Sequence, residues 1–316
     1  MKIFKYVLLI LMTLLVSSCS ITGQSQTKDE ATQSTASNTS GPQDRNLKIL
    51  ASTKYLSQMI QELAGSDHIV NYMAETESQL KSLAPDPSLM ETEKYNAFLY
   101  IGAGYEPFIR EFTEKIDKNK INVVNVSRGI DILRHKINKL DNENYYYLTN
   151  STNYKIALNS IKNALQEMDP GRKTRYDENF QLISESIDEF QREVRAFIGT
   201  LEKTVFIVDS DLAAYVVQDY KRGYQTISEF TDRIASQDTT STQPVTTLGS
   251  TVSTSTMPSL EKRIFLYTED ISILKYADEI IKYNLVPVKV NLYEGSTSIM
   301  AGFKKTFQDL SAAFDN

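Results

Sequence analysis

The stretch KTRYDENFQLISESIDEFQREVRAFIGT, residues 173–200, decides the architecture. Its apolar residues Tyr176, Phe180, Ile183, Ile187, Phe190, Val194 and Phe197 recur at intervals of 4, 3, 4, 3, 4 and 3. That spacing lines one face of an α-helix. It predicts a single helix from about Lys173 to Thr200, roughly 40 Å long at 1.5 Å per residue. About three and a half heptads make a short coiled coil, so the stripe is expected to lie along a globular body.

Working outward, residues 151–168 form a second helical pattern, with Tyr154, Ala157, Leu158, Ile161, Leu165 and Met168 on one face and Pro170-Gly171 as a stop. Upstream, strand-like runs at 47–52, 69–74, 97–102 and 121–126 alternate with helical stretches at 55–65, 88–95 and 105–119. Downstream, runs at 204–208, 263–267 and 286–292 alternate with helical stretches at 212–220, 272–283 and 298–314. Alternation on both sides predicts an α/β protein of two lobes, each a parallel sheet covered by helices, joined by the long helix. The divisions expected are 1–19, 20–46, 47–170, 171–200 and 201–316. Within the last, residues 238–258 are a Thr/Ser run without periodicity, expected to be a disordered surface insertion.

The chain has 316 residues, 41% hydrophobic and 23% charged, enough apolar material for a sizeable core. With 34 Lys+Arg against 40 Asp+Glu the net charge is −6, which argues against binding nucleic acid through phosphate contacts. A single cysteine excludes an internal disulfide, and only two histidines, His68 and His135, exclude a histidine-rich metal site. Both histidines are expected to be exposed or capping.

Residues 1–19 read as an export leader: Lys2 and Lys5 precede the apolar run 6–16, which is too short to span a bilayer as a permanent helix. The run ends in Val16-Ser17-Ser18-Cys19, which resembles the lipobox of bacterial lipoproteins, so Cys19 is the expected lipidation site. Removing the leader leaves 32 basic against 40 acidic residues, a charge of −8, and the lipid rather than charge would hold the protein at the membrane. Residues 20–46, rich in Ser, Thr, Gln and Asn, have the composition of a flexible tether.

Several short segments match one family in order. They are Leu50-Ala51-Ser52-Thr53-Lys54-Tyr55-Leu56, Pro85-Asp86-Pro87-Ser88-Leu89, Phe98-Leu99-Tyr100-Ile101-Gly102-Ala103-Gly104-Tyr105-Glu106 and Val124-Asn125-Val126-Ser127-Arg128-Gly129-Ile130, followed by Asp169-Pro170 and the long helix. Together they resemble the zinc/manganese substrate-binding lipoproteins of bacterial ABC transporters, the adhesin-like metal receptors. The resemblance implies a two-lobed monomer outside the cytoplasm, with a ligand cleft between the lobes, anchored by lipid to the bacterial cell membrane. It would deliver a divalent metal ion (Mn, Zn or Ca) to an ABC permease in the membrane.

The family's metal ligands are replaced. Its histidine positions fall by spacing on Lys81, Tyr145 and Ser210, and its acidic ligand falls near Thr297, among Ser296, Thr297 and Ser298. Deprotonating Lys81 or Tyr145 at neutral pH would cost roughly 4–5 kcal/mol each before any metal bond forms. Nearby carboxylates, Glu75, Glu77, Glu143, Asp209, Asp211 and Glu269 with Asp270, could supply oxygen ligands to a hard cation or be solvated loop acids. Tyr145-Tyr146-Tyr147 could stack on an organic ligand or simply pack. Two alternatives to metal delivery remain open: a fold-retaining paralogue acting in surface adhesion or interaction, and a receptor for a non-metal solute. No nucleophile-base pair or phosphate loop stands out, and Gly102-Ala103-Gly104 lacks the third glycine of a dinucleotide fingerprint. An enzyme is not expected.

Overall fold

A computed structural model describes residues 45–88, 90–137, 143–201, 203–240, 261–291 and 298–315. Cys19, the tether up to residue 44, Thr297 and residues 241–258 of the Thr/Ser run lie outside them.

The first lobe contains strands β1 (Lys48–Thr53), β2 (Ile69–Ala74), β3 (Ala97–Tyr100) and β4 (Asn122–Asn125), with helices α1 (Lys54–Ala64), α2 (Glu77–Ser82) and α3 (Ile109–Lys115) between them. Helices α4 (Ser151–Met168) and α5 (Lys173–Thr200) lead to the second lobe. There β5 (Thr204–Val208), α6 (Asp211–Asp219), β6 (Tyr224–Thr226), α7 (Ile227–Thr240), β7 (Lys262–Tyr267), α8 (Ile271–Lys275), α9 (Ala277–Lys282), β8 (Leu285–Lys289) and α10 (Ile299–Asp315) follow in turn. The two sheets are ordered β2-β1-β3-β4 and β6-β5-β7-β8, and every pairing is parallel. The two-lobed α/β architecture with one long helix is thus the one predicted.

Local chemistry sets these elements. In β1 every residue after Lys48 is buried, as expected of a strand with helices on both faces. Helix α1 starts where Thr53 Oγ1 accepts the Leu56 amide at 3.1 Å, and it stops at Gly65, whose φ of 63° favours glycine. One continuous core runs from β1 and β3 (Ile49, Ala51, Leu99) through α4 and α5 to β5 and β7 (Phe206, Val208, Ile264). Smaller clusters lie on the outer faces, around Leu50 and Phe98 and around Ile207 and Phe265.

Some expected helices differ. Of the residues expected as a helix over 88–95, Ser88, Met90 and Glu91 lie in turns and Thr92–Lys94 form a 3-10 turn, with Glu91 left-handed at φ 49° interrupting any α-helix. The helix expected over 105–119 begins only at Ile109, after Pro107, and that over 272–283 breaks at Tyr276 into α8 and α9. Helix α7 extends to Thr240 and so takes in the first residues of the expected insertion. Among the described residues no helix is long and apolar enough to cross a membrane.

Candidate functional site

A cavity of about 480 Å³ lies between the lobes. The first lobe lines it with Thr53, Lys54 and Tyr55 at the β1–α1 junction, Glu75, Thr76 and Glu77 after β2, and Tyr105, Tyr145 and Tyr146. The second lobe supplies Leu212, Val216, Asp219 and Tyr220 from α6, and Ile299 and Phe303 from α10, while Phe190 of α5 contributes from the side. Four elements with apolar faces meet here, so the lining is mainly aliphatic and aromatic.

At one corner, Lys81 Nζ donates to Tyr145 Oη at 2.8 Å and pairs with Glu77 one helical turn away. Tyr146 Oη donates to the same Glu77 carboxylate at 3.0 Å. Tyr145 is packed by Tyr146 and Tyr105, at ring-centroid distances of 4.6 and 5.2 Å, and by His135 at 5.3 Å. Burial pulls the Lys81 ammonium down, but the hydrogen bonds to Glu77 and Tyr145 outweigh it and hold its pKa above the usual lysine value. Burial, with Glu77 and Tyr145 nearby, raises the Tyr105 and Tyr146 phenols further above the ordinary range. At neutral pH Lys81 is a protonated ammonium and the Tyr105 and Tyr146 phenols beside it are neutral.

Helix α2 presents Glu77 and Lys81 on one face through a capping box in which Thr76 Oγ1 accepts the Gln79 amide at 3.2 Å. Behind the cavity wall, Glu106 folds back over the turn after β3. It accepts from the Ile101 amide at 2.7 Å, the Gly102 amide at 3.0 Å and Ser52 Oγ at 2.6 Å. Gly102 must be glycine, because a Cβ there would sit 2.1 Å from Asn125 Oδ1 and its φ is 80°. The first glycine of the Gly-x-Gly pattern thus serves a tight backbone approach, whereas Gly104 has open space around it and is required only by its φ of 78°.

The other expected site residues are placed as follows. Glu75 and Glu77 line the cavity, with Glu75 paired to Lys54. Asp211 is buried and faces the 131–137 segment of the first lobe: it accepts from the Lys136 amide at 2.8 Å and meets His135 Nδ1 at 3.1 Å. Asp209 accepts from Ser272 Oγ at 2.6 Å and the Thr268 amide at 3.2 Å, and Ser210, at the N-cap position of α6 without a side-chain capping bond, accepts from Thr268 Oγ1 at 3.4 Å. Glu143 is exposed in an isolated bridge with Arg134, and Glu269 is exposed on the loop after β7. Lys81 and Tyr145 are therefore brought together, whereas Ser210, Asp209, Asp211, Glu143 and Glu269 do not line the cavity. Among the described residues no group of three or more His, Cys, Asp or Glu could hold a metal ion.

Both histidines are buried, contrary to expectation. His68 Nδ1 accepts the Leu47 amide at 3.3 Å, which places the ring proton on Nε2, where it donates to Tyr176 Oη at 2.7 Å. Tyr176 in turn donates to Asp169 at 2.7 Å. The site residue most completely missed is Asp219. It ends the apolar run of α6 as an ordinary helix-terminal acid, and only the fold turns it toward the cavity.

Solved structures share this fold. A structure described as ZnuA matches with 13% identity over 85% of this chain and 99% of that one, at a TM-score of 0.60. The metal-dependent lipoprotein YcdH from Bacillus subtilis matches with 11% identity over 85% and 99%, at 0.64. A Cd-bound periplasmic metal binding protein from candidatus Liberibacter asiaticus matches with 14% identity over 85% and 99%, at 0.63. The profile of the family described as "ZnuA: Zinc-uptake complex component A periplasmic" matches residues 49–259, two thirds of the sequence. The chain belongs to the ZnuA family of periplasmic zinc-uptake components.

Proposed function

We propose that this protein is the lipid-anchored, extracytoplasmic binding component of an ABC transporter, tethered through Cys19 and presenting a cleft-bound solute to a membrane permease. In this reading residues 47–170 and 201–316 are the two lobes, 171–200 the strut between them, and the metal position of the family is filled by the protein's own side chains. Family membership supports the receptor role, and the single cysteine at the end of the leader supports the anchor.

One observation carries the statement about the metal: Lys81 Nζ lies 2.8 Å from Tyr145 Oη while paired with Glu77. An ammonium there repels a divalent cation and already satisfies the carboxylate that would attract one. Its raised pKa adds to the roughly 4–5 kcal/mol needed to deprotonate an ordinary lysine at neutral pH. The test is elemental analysis of the purified mature chain together with calorimetric titration by Zn²⁺, Mn²⁺ and Ca²⁺. No bound metal and no heat of binding are expected. Stoichiometric binding of any of the three would overturn the refilled-site reading.

A further inference from the structure

The cavity between the lobes is too large and too apolar to be explained by a lost metal position. At about 480 Å³ it falls within the range that holds small organic ligands, roughly 300–1,000 Å³. Its ionisable lining is acidic: Glu75, Glu77 and Asp219 against Lys54. Glu75 is paired with Lys54 and Glu77 with Lys81, so both charges are compensated within the protein.

Asp219 differs from the other two. Burial raises the Asp219 carboxyl, and its oxygens are held by the Ser151 amide at 3.1 Å, Ser151 Oγ at 2.9 Å and the Thr152 amide, while Lys221 acts on it only through space. A carboxylate offers about four acceptor positions, so these three contacts leave room for one further donor. Leu212 and Val216 precede it on the same face of α6, and Phe303 of α10 also lines the cavity. A half-buried acid at the end of an apolar wall is complementary to an amphipathic cation, whose charge offsets the cost of desolvating the carboxylate. An anion would meet excess negative charge.

We propose that this cavity binds a small organic amine, its ammonium on Asp219 and its apolar or aromatic body against Leu212, Val216 and Phe303. As a statement about cargo this rests on the receptor reading. Binding itself is measured on the isolated chain, so failure here would leave the metal titration standing, and metal uptake would overturn the refilled-site reading without touching this one.

The sequence contains no tryptophan, so an indole probe can be excited selectively in the presence of the mature protein. Fluorescence titration with tryptamine should saturate at one equivalent. Its neutral isostere tryptophol should bind at least about tenfold more weakly, the scale of one charge-assisted hydrogen bond, and indole-3-propionate more weakly still. Asp219→Asn should remove the preference of tryptamine over tryptophol, and Val216→Phe, which fills the cavity, should weaken all three. Circular dichroism of both variants checks that they are folded. Absence of saturable tryptamine binding, equal affinity for the three probes in the wild type, or an unchanged preference in folded Asp219→Asn would each overturn the proposal.

Discussion

His68 shows how a single residue's setting determines its role. Its side chain sits with Tyr176 and Asp169 in a buried chain of hydrogen bonds, and burial holds its pKa below the usual 6.5. Folding therefore favours the neutral ring. That stability is fully present above about pH 6.5 and is lost as the pH falls. Burial pushes the Asp169 carboxyl up, but hydrogen bonds from Tyr176 and Arg172 pull it further down, below 3.8. Its contribution persists to lower pH and is lost in a second step. Urea midpoints should accordingly fall between about pH 7 and 5 and fall again below about pH 4. In His68→Gln the first fall should flatten while the second remains. None of this was legible locally, because His68 follows Ser66-Asp67 in sequence and acquires its partner from a residue 108 positions away.

At the scale of elements, α5 was legible to the residue because its stripe is unbroken and nearly every apolar position on it meets a partner. Phe190 packs on Phe303 at a centroid distance of 6.0 Å and on Phe307 at 6.0 Å, and Phe197 meets Phe307 and Phe314 at 5.5 and 5.6 Å. Phe190→Ala should therefore destabilise the fold by about 3–5 kcal/mol, measured by chemical denaturation. Leu182, on the solvent side of the same helix and 66% exposed, should tolerate the same change within about 0.5 kcal/mol. Elements that escaped the sequence reading lack such a signal. Strand β6 is three residues long, and α2 buries only Leu80. A cleft between the lobes was expected, but its lining was illegible for a different reason: its walls come from residues as distant as Thr53 and Thr306. Lys81 and Tyr145 were singled out by order along the chain, and the fold brings them into contact. Asp219 had no motif to mark it.

At the scale of the molecule, the lobes are joined by more than a strut. The loop before α4 is stitched to α6: Asp211 accepts from Lys136 and His135, Tyr215 Oη accepts the Leu133 amide at 2.8 Å, and Asn150 Nδ2 donates to the Tyr215 carbonyl at 3.2 Å. The same apolar core continues beneath these contacts from one sheet to the other. Thermal unfolding followed by a reporter in either lobe should give coincident transitions, with calorimetric and van't Hoff enthalpies equal. Two separated melts would show that the lobes are independent.

The shared core also bears on how damage spreads. A chain whose halves each closed their own interior could lose one and keep the other as a folded remnant. Here, among the described residues, the main core passes from one lobe to the other without a seam. A lesion in one lobe raises the population of the fully open chain, which is the form a protease cleaves, so proteolytic quality control would meet the intact molecule or none.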